Sequence, residues 1–156
     1  MPINPQRLEA FGLFVGLKPE HLIKIGSIAE EVSYKKNEIL FKEGDPGDAI
    51  YLIEDGSVRI SKDIPNVGEE ALSILKIGSF FGEMNLITGK PRSADARANE
   101  KVNLIKIENE RFKKLFAEDK DLAISVLWAL SKILAERLHQ QNEKYRALLA
   151  MTVPFQ

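Results

Sequence analysis

Between Val32 and Ile107 the chain is cut into short pieces by seven glycines, at positions 44, 47, 56, 68, 78, 82 and 89, and three prolines, at 46, 65 and 91. These are turn residues, supplying left-handed backbone and fixed bends. Between them lie Ile39-Leu40-Phe41, Ala49-Ile50-Tyr51-Leu52-Ile53, Leu72-Ser73-Ile74-Leu75 and Val102 to Ile107. Val58-Arg59-Ile60-Ser61 alternates as a half-buried strand should. Short apolar runs with regular turn signals predict an antiparallel β-sandwich or barrel. Ser93 to Ala98 also alternates, with alanine on one face. Small inward residues suit a tight barrel, or a place where a ligand comes close.

The flanks read differently. Leu8, Phe11, Leu13 and Phe14 predict one short helix and a tight turn. Pro19 suits a first helical position, with Glu20 favourable beside the helix N-terminus. Leu22, Ile23, Ile25, Ile28 and Ala29 recur at helical spacing. After the barrel, Glu108 to Phe116 is a short amphipathic segment. Asp119 is then the expected N-cap of a helix reaching about Ala150, roughly 45 Å at about 1.5 Å per residue. Its first half, with Leu122, Val126, Leu127, Leu130, Ile133 and Leu134, is expected to pack on the barrel. Its second half keeps a thinner stripe of Leu134, Leu138, Gln141, Tyr145 and Leu148 at near-heptad spacing. Two readings of that stripe are open: an extension of the domain's own packing, or a two-stranded coiled coil.

Residues 1–156 therefore read as one domain, with helices at about 5–31, a β-barrel at about 32–107 and helices at about 108–150. A chain of this length buries about two thirds of its unfolded surface, enough for a core without staples. There is no cysteine, and His21 and His139 are the only histidines. Thiolate chemistry and a histidine-rich metal site are excluded, so no cofactor and no metal is expected. No serine or threonine carries a paired-histidine signature, and an enzyme is not expected. A net charge of −1 gives no phosphate-backbone footprint. The longest apolar segment, Leu122 to Leu134, is too short for a membrane span. The first residues lack a basic stretch followed by an apolar run, so the expected location is cytoplasmic, away from any membrane.

The densest run of special residues is Gly78 to Ala94. Gly82 permits close backbone approach or a positive φ. Glu83 to Thr88 fits one helical turn whose N-terminal amides are free for an anion, and Gly89 fits its left-handed end. Pro91 forces an extended chain, from which Arg92 and Ser93 emerge. A guanidinium and a hydroxyl near such a turn suit phosphate. Glu83 would repel phosphate, so its natural partner is a donor such as a ribose hydroxyl. The competing reading of Arg92 is an ion pair with Glu83 or Asp95.

This run resembles the phosphate-binding cassette of the cyclic-nucleotide-binding domain family: Phe81-Gly82-Glu83-Met84-Asn85-Leu86, then Pro91-Arg92-Ser93-Ala94. Glu43 to Tyr51, followed by Glu54-Asp55-Gly56-Ser57-Val58, is similar to the family's first hairpin. The likeness covers roughly Phe11 to Leu138. It implies a mainly β fold with flanking helices, a double-stranded β-helix or jelly-roll barrel. It implies cAMP or cGMP as ligand. Arg92 would pair with the exocyclic phosphate oxygens. Glu83 and the Gly82 amide would take the ribose 2′-hydroxyl. The Asn85 amide and Ser93 would add phosphate bonds, with Met84 and Ala94 lining the pocket. Ser93 bears either on guanine or on phosphate. In the family the long C-terminal helix acts as a lid over the base or as a dimer seam. That implies a homodimer through this helix and signalling to a separate protein effector.

Two features depart from the family. The small residue after the aliphatic position is Asn85, whose side chain adds bulk and polarity at the pocket wall. This keeps open an alternative, an interaction protein that retains the fold without nucleotide. Beyond the long helix, Met151 to Gln156 cannot hold a DNA reader, so the expectation is a stand-alone module with no nucleic-acid partner.

Overall fold

The computed structural model describes residues 1–153; Pro154, Phe155 and Gln156 lie outside them. Two proline-led helices open the chain, α1 (Pro5–Leu8) and α2 (Pro19–Ile28), and the side chain of Asn4 caps the first by accepting from the Gln6 amide. Leu8 to Phe14 is split between a short helix and a tight turn. α1 ends at Leu8, and Gly12–Phe14 forms a separate 3₁₀ turn. The reason is geometric. Residues two apart face opposite ways on a helix, yet Phe11 and Leu13 are both buried, together with Leu8 and Phe14. Breaking the helix lets all four reach the core.

Eight strands follow: β1 (Ala29–Tyr34), β2 (Ile39–Phe41), β3 (Ala49–Asp55), β4 (Val58–Ile64), β5 (Gly68–Leu75), β6 (Phe80–Phe81), β7 (Asp95–Ala98) and β8 (Val102–Glu108). They pair antiparallel in two four-stranded sheets, ordered β1-β8-β3-β6 and β2-β7-β4-β5. This is the expected jelly-roll barrel. A short helix, α3 (Glu83–Thr88), separates β6 from β7, and α4 (Asn109–Glu118) and α5 (Lys120–Thr152) close the chain.

The apolar run of β3 does not alternate with polar residues because both faces of the strand are covered. Ala49, Tyr51 and Ile53 point into the barrel, where they meet Phe81, Ala96, Ala98, Val102 and Leu104. Ile50 and Leu52 point the other way, into a second core with Phe11, Phe14, Ile25, Phe112, Leu122, Val126 and Leu130 from the helices. Alanines on β7 leave room inside the barrel for aromatic rings, and Tyr51 and Phe81 stack there with centroids 5.2 Å apart. The alternation of β4 stops after Ile60, where the register with β5 slips and Leu72 is the extra residue. β5 forms the open edge of its sheet, so Leu72 and Ile74 are exposed despite their apolar character.

Asp119 caps α5 as its position predicts: Oδ1 accepts from the Leu122 amide at 3.0 Å, and Oδ2 accepts from Lys24 at 2.6 Å. The Lys24 hydrogen bond, seconded by the amide, holds this carboxyl below the usual aspartate range. The first half of α5 buries Leu122, Ala123, Val126 and Leu130, while Leu138, Tyr145, Leu148 and Leu149 beyond it are exposed. Among the described residues no helix is long and apolar enough to cross a membrane.

Candidate functional site

The site is built around α3. β6 pairs with β3 through Tyr51–Phe81 and Leu52–Phe80, which fixes where the next residues emerge. Gly82 then takes φ +85°, and a Cβ there would fall 2.7 Å from both the Ala49 carbonyl oxygen and Arg92 Nη1. Only glycine fits that turn without displacing Arg92. The α3 helix closes where Gly89, also left-handed, donates its amide to the Asn85 carbonyl.

The chain returns through Lys90 and Pro91 to Arg92. Its backbone is held by the loop before β3: the Arg92 amide donates to the Asp45 carbonyl at 2.8 Å, and the Gly44 amide donates to the Arg92 carbonyl at 2.9 Å. The loop around Gly44 and Asp45, which crosses from one sheet to the other, therefore frames the site rather than merely turning.

The Arg92 side chain is only 1% exposed. Nη1 donates to Asn85 Oδ1 at 2.8 Å, and Nη2 donates to the Ala49 carbonyl at 2.8 Å and, more loosely, to Asp48 Oδ1 at 3.3 Å. The guanidinium lies 4.1 Å over the Phe41 ring, a cation–π contact strengthened by desolvation. Burial lowers its pKa, while Tyr51 and Asp48 oppose the shift. Its Nε–H is buried and has no acceptor among the described residues. Neither ion pair weighed from the sequence forms. Asp95 Oδ1 accepts from the Glu43 amide instead, and Glu83 takes a different arginine.

That arginine is Arg137, on α5. The Glu83 side chain is 7% exposed, and its Oε1 accepts from Arg137 Nη1 at 2.6 Å. Arg137 Nη2 also donates to the Phe80 carbonyl at 3.2 Å, and the guanidinium sits 4.7 Å from the Phe80 ring centroid. The long helix is thus tied directly to the first residue of α3.

Asn85 is buried, and both polar atoms of its amide are used. Nδ2 donates to the carbonyls of Lys90 at 2.7 Å and Pro91 at 2.9 Å, while Oδ1 receives Arg92. Its side chain lies against Gly47, where an added Cβ would come within 2.2 Å of Asn85 Cβ. Of the remaining residues singled out from the sequence, Ala94 is buried, Ser93 is exposed, and Met84 is 53% exposed on the outer face of α3. Gly82, Asn85 and Arg92 are brought together, the Glu83 side chain turns to Arg137, and Met84 and Ser93 stand at the margin.

Sequence reasoning missed Asp48, the Ala49 carbonyl and Phe41 as partners of Arg92, and Arg137 as the partner of Glu83. A signal for Arg137 was present. Leu130, Ile133, Leu134 and Arg137 share one helical face at i, i+3, i+4, i+7 spacing, so the apolar face toward the barrel ends in a cation.

With this geometry in place, the comparisons with known proteins are direct. The sequence model described as cyclic nucleotide-binding domain matches residues 31–119. The chain belongs to the cyclic nucleotide-binding domain family. It is 26% identical over 143 residues to a CRP-like cAMP-activated global transcriptional regulator of Mycobacterium tuberculosis, covering 92% of this chain and 62% of that one. It is 37% identical over 108 residues to a cAMP-dependent protein kinase regulatory subunit of Emericella nidulans, covering 69% of this chain and 26% of the subunit. The chain thus spans less than two thirds of these relatives. A crystal structure of a cyclic nucleotide-binding domain from Methylobacillus flagellatus superposes with a TM-score of 0.81 at 27% identity, over 99% of this chain and 89% of that one. The first two relatives are named as a transcriptional regulator and a kinase regulatory subunit.

Proposed function

We propose that this chain is a sensor that binds a cyclic nucleotide, cAMP or cGMP, at the segment from Gly82 to Ala94 and passes its occupancy on through α5. The observation that carries the reading is Arg92: a guanidinium buried beside α3 with an Nε–H that no atom of the described residues accepts. A buried donor left unmatched costs about 1–3 kcal/mol, and a phosphate oxygen is the acceptor that suits it. Arg92 takes the exocyclic phosphate oxygens, helped by the Asn85 amide and Ser93. Glu83 and the Gly82 amide take the ribose 2′-hydroxyl. Met84 and Ala94 form the wall. A ribose hydroxyl reaching Glu83 competes with Arg137 for the same carboxylate, which gives the ligand a grip on α5 and so on a partner protein. The test is a thermal-shift panel of cAMP, cGMP and cyclic dinucleotides. A rise in Tm with one of the two mononucleotides is expected; no shift with any of them favours instead an interaction protein that uses the fold without nucleotide. The ties that already satisfy most of Arg92 support that second reading.

The second half of α5 gives the output its surface. Leu138, Tyr145 and Leu148 form an exposed stripe at near-heptad spacing, and a second copy of the chain is the occupant with the matching stripe. Leu138→Glu puts a charge into that seam. Sedimentation is expected to show a dimer for the unaltered chain and monomer for the variant. A monomer at every concentration for the unaltered chain overturns the homodimer.

A further inference from the structure

We propose that the Asn85 side chain is an internal competitor for the ligand's phosphate and sets the affinity of this site. The inference rests on the reading of the site as a cyclic-nucleotide pocket. Three observations carry it. Asn85 Oδ1 is the acceptor for Arg92 Nη1 at 2.8 Å, a neutral carbonyl oxygen standing on the cation that would meet a phosphate oxygen. The asparagine is locked in that pose, because Nδ2 donates to the carbonyls of both Lys90 and Pro91. The room for it is built, since Gly47 lies where any side chain would collide with Asn85 Cβ.

Two effects of opposite sign follow from these bonds. The Nδ2 bonds shape the turn at 90–91, which favours a ready-made site. The Oδ1 bond satisfies Nη1 in advance, so an anion that adds a bond at the unmatched Nε–H must still replace Asn85 to gain a second one at Nη1. The second effect wins. The turn has independent ties, through the Arg92 amide on the Asp45 carbonyl and the Gly44 amide on the Arg92 carbonyl. Arg92 Nη1 has no comparable substitute, its other acceptor being the Gly82 carbonyl at 3.5 Å. An anion arriving without Asn85 gains a charge-assisted hydrogen bond that it otherwise only exchanges.

Asn85→Ala is therefore expected to tighten binding of cAMP or cGMP about tenfold, at about 1.4 kcal/mol per decade, read by calorimetric titration. Asn85→Ser, which is too short to reach Arg92, repeats the measurement should the alanine variant fail to fold. The gain is expected to shrink in an Arg92→Lys background, because a lysine ammonium no longer presents the guanidinium nitrogen that Asn85 holds. A change in loop order alone would persist there. If the unaltered chain binds nucleotide and both Asn85 variants bind equally or more weakly, the competitor role is overturned and the pocket stands. If neither the unaltered chain nor any Asn85 variant binds cAMP or cGMP, the pocket reading falls, and this inference with it.

Discussion

Arg92→Ala is expected to weaken cyclic-nucleotide binding by more than about tenfold. Charge-assisted hydrogen bonds contribute about 1.5–3 kcal/mol each, and about 1.4 kcal/mol is a factor of ten, so the loss of one such bond suffices. The variant also loses stability, for reasons visible in the fold. The Ala49 carbonyl and Asn85 Oδ1 are left without their donor, and the space above the Phe41 ring is emptied. Folding and binding must therefore be separated, and Arg92→Lys does so. Lysine keeps the charge but not the planar fork, so it is expected to hold the fold better than alanine while still binding more weakly than arginine. Titration with cAMP and cGMP, beside melting curves of all three chains, checks both statements. A dissociation constant unchanged in a folded Arg92→Ala chain removes Arg92 from the site.

What the sequence made legible was local. Gly82 and Gly89 bracket a six-residue helix, and both take the left-handed conformation that only glycine enters cheaply. Asp119 precedes a long apolar pattern and caps it. The alanines of β7 alternate, and their face is the barrel interior. What stayed hidden was set by pairing between distant segments. That Leu72 and Ile74 are exposed follows from β5 being last in its sheet, which no period within the strand encodes. The motif puts Arg92 seven residues after Asn85, but its burial depends on β2 bringing Phe41 beneath it and on β3 offering the Ala49 carbonyl. Glu83 and Arg137 are 54 positions apart. Their meeting requires α5 to lie along the second core first, so the charge of Arg137 could not be assigned a partner from spacing alone. The same limit applies to Asn85. Its departure from the family's small residue stands out in the sequence, whereas its grip on Arg92 and the 90–91 turn exists only once Gly47 has opened the space.

The tie between Glu83 and Arg137 yields the second large effect. Arg137→Ala leaves a carboxylate that is 7% exposed without its cation, and an unpartnered buried acceptor costs about 1–3 kcal/mol. In a domain of this size each kcal/mol moves Tm by roughly 2–4 °C, so a fall of several degrees is expected in the absence of nucleotide. Binding acts in the opposite sense. A ribose 2′-hydroxyl can supply the donor that Arg137 no longer provides, so the rise in Tm on adding cAMP or cGMP is larger for the variant than for the unaltered chain. The 2′-deoxy analogue lacks that donor and is expected to erase the difference. Equal ligand-induced shifts in the two chains, or a difference that survives with the 2′-deoxy nucleotide, would separate Glu83 from the ribose and leave the Arg137 tie as packing between α5 and the barrel. The predicted pattern instead makes one carboxylate the point where ligand and helix exchange places, which couples occupancy of the cassette to the position of a helix whose far half is already exposed.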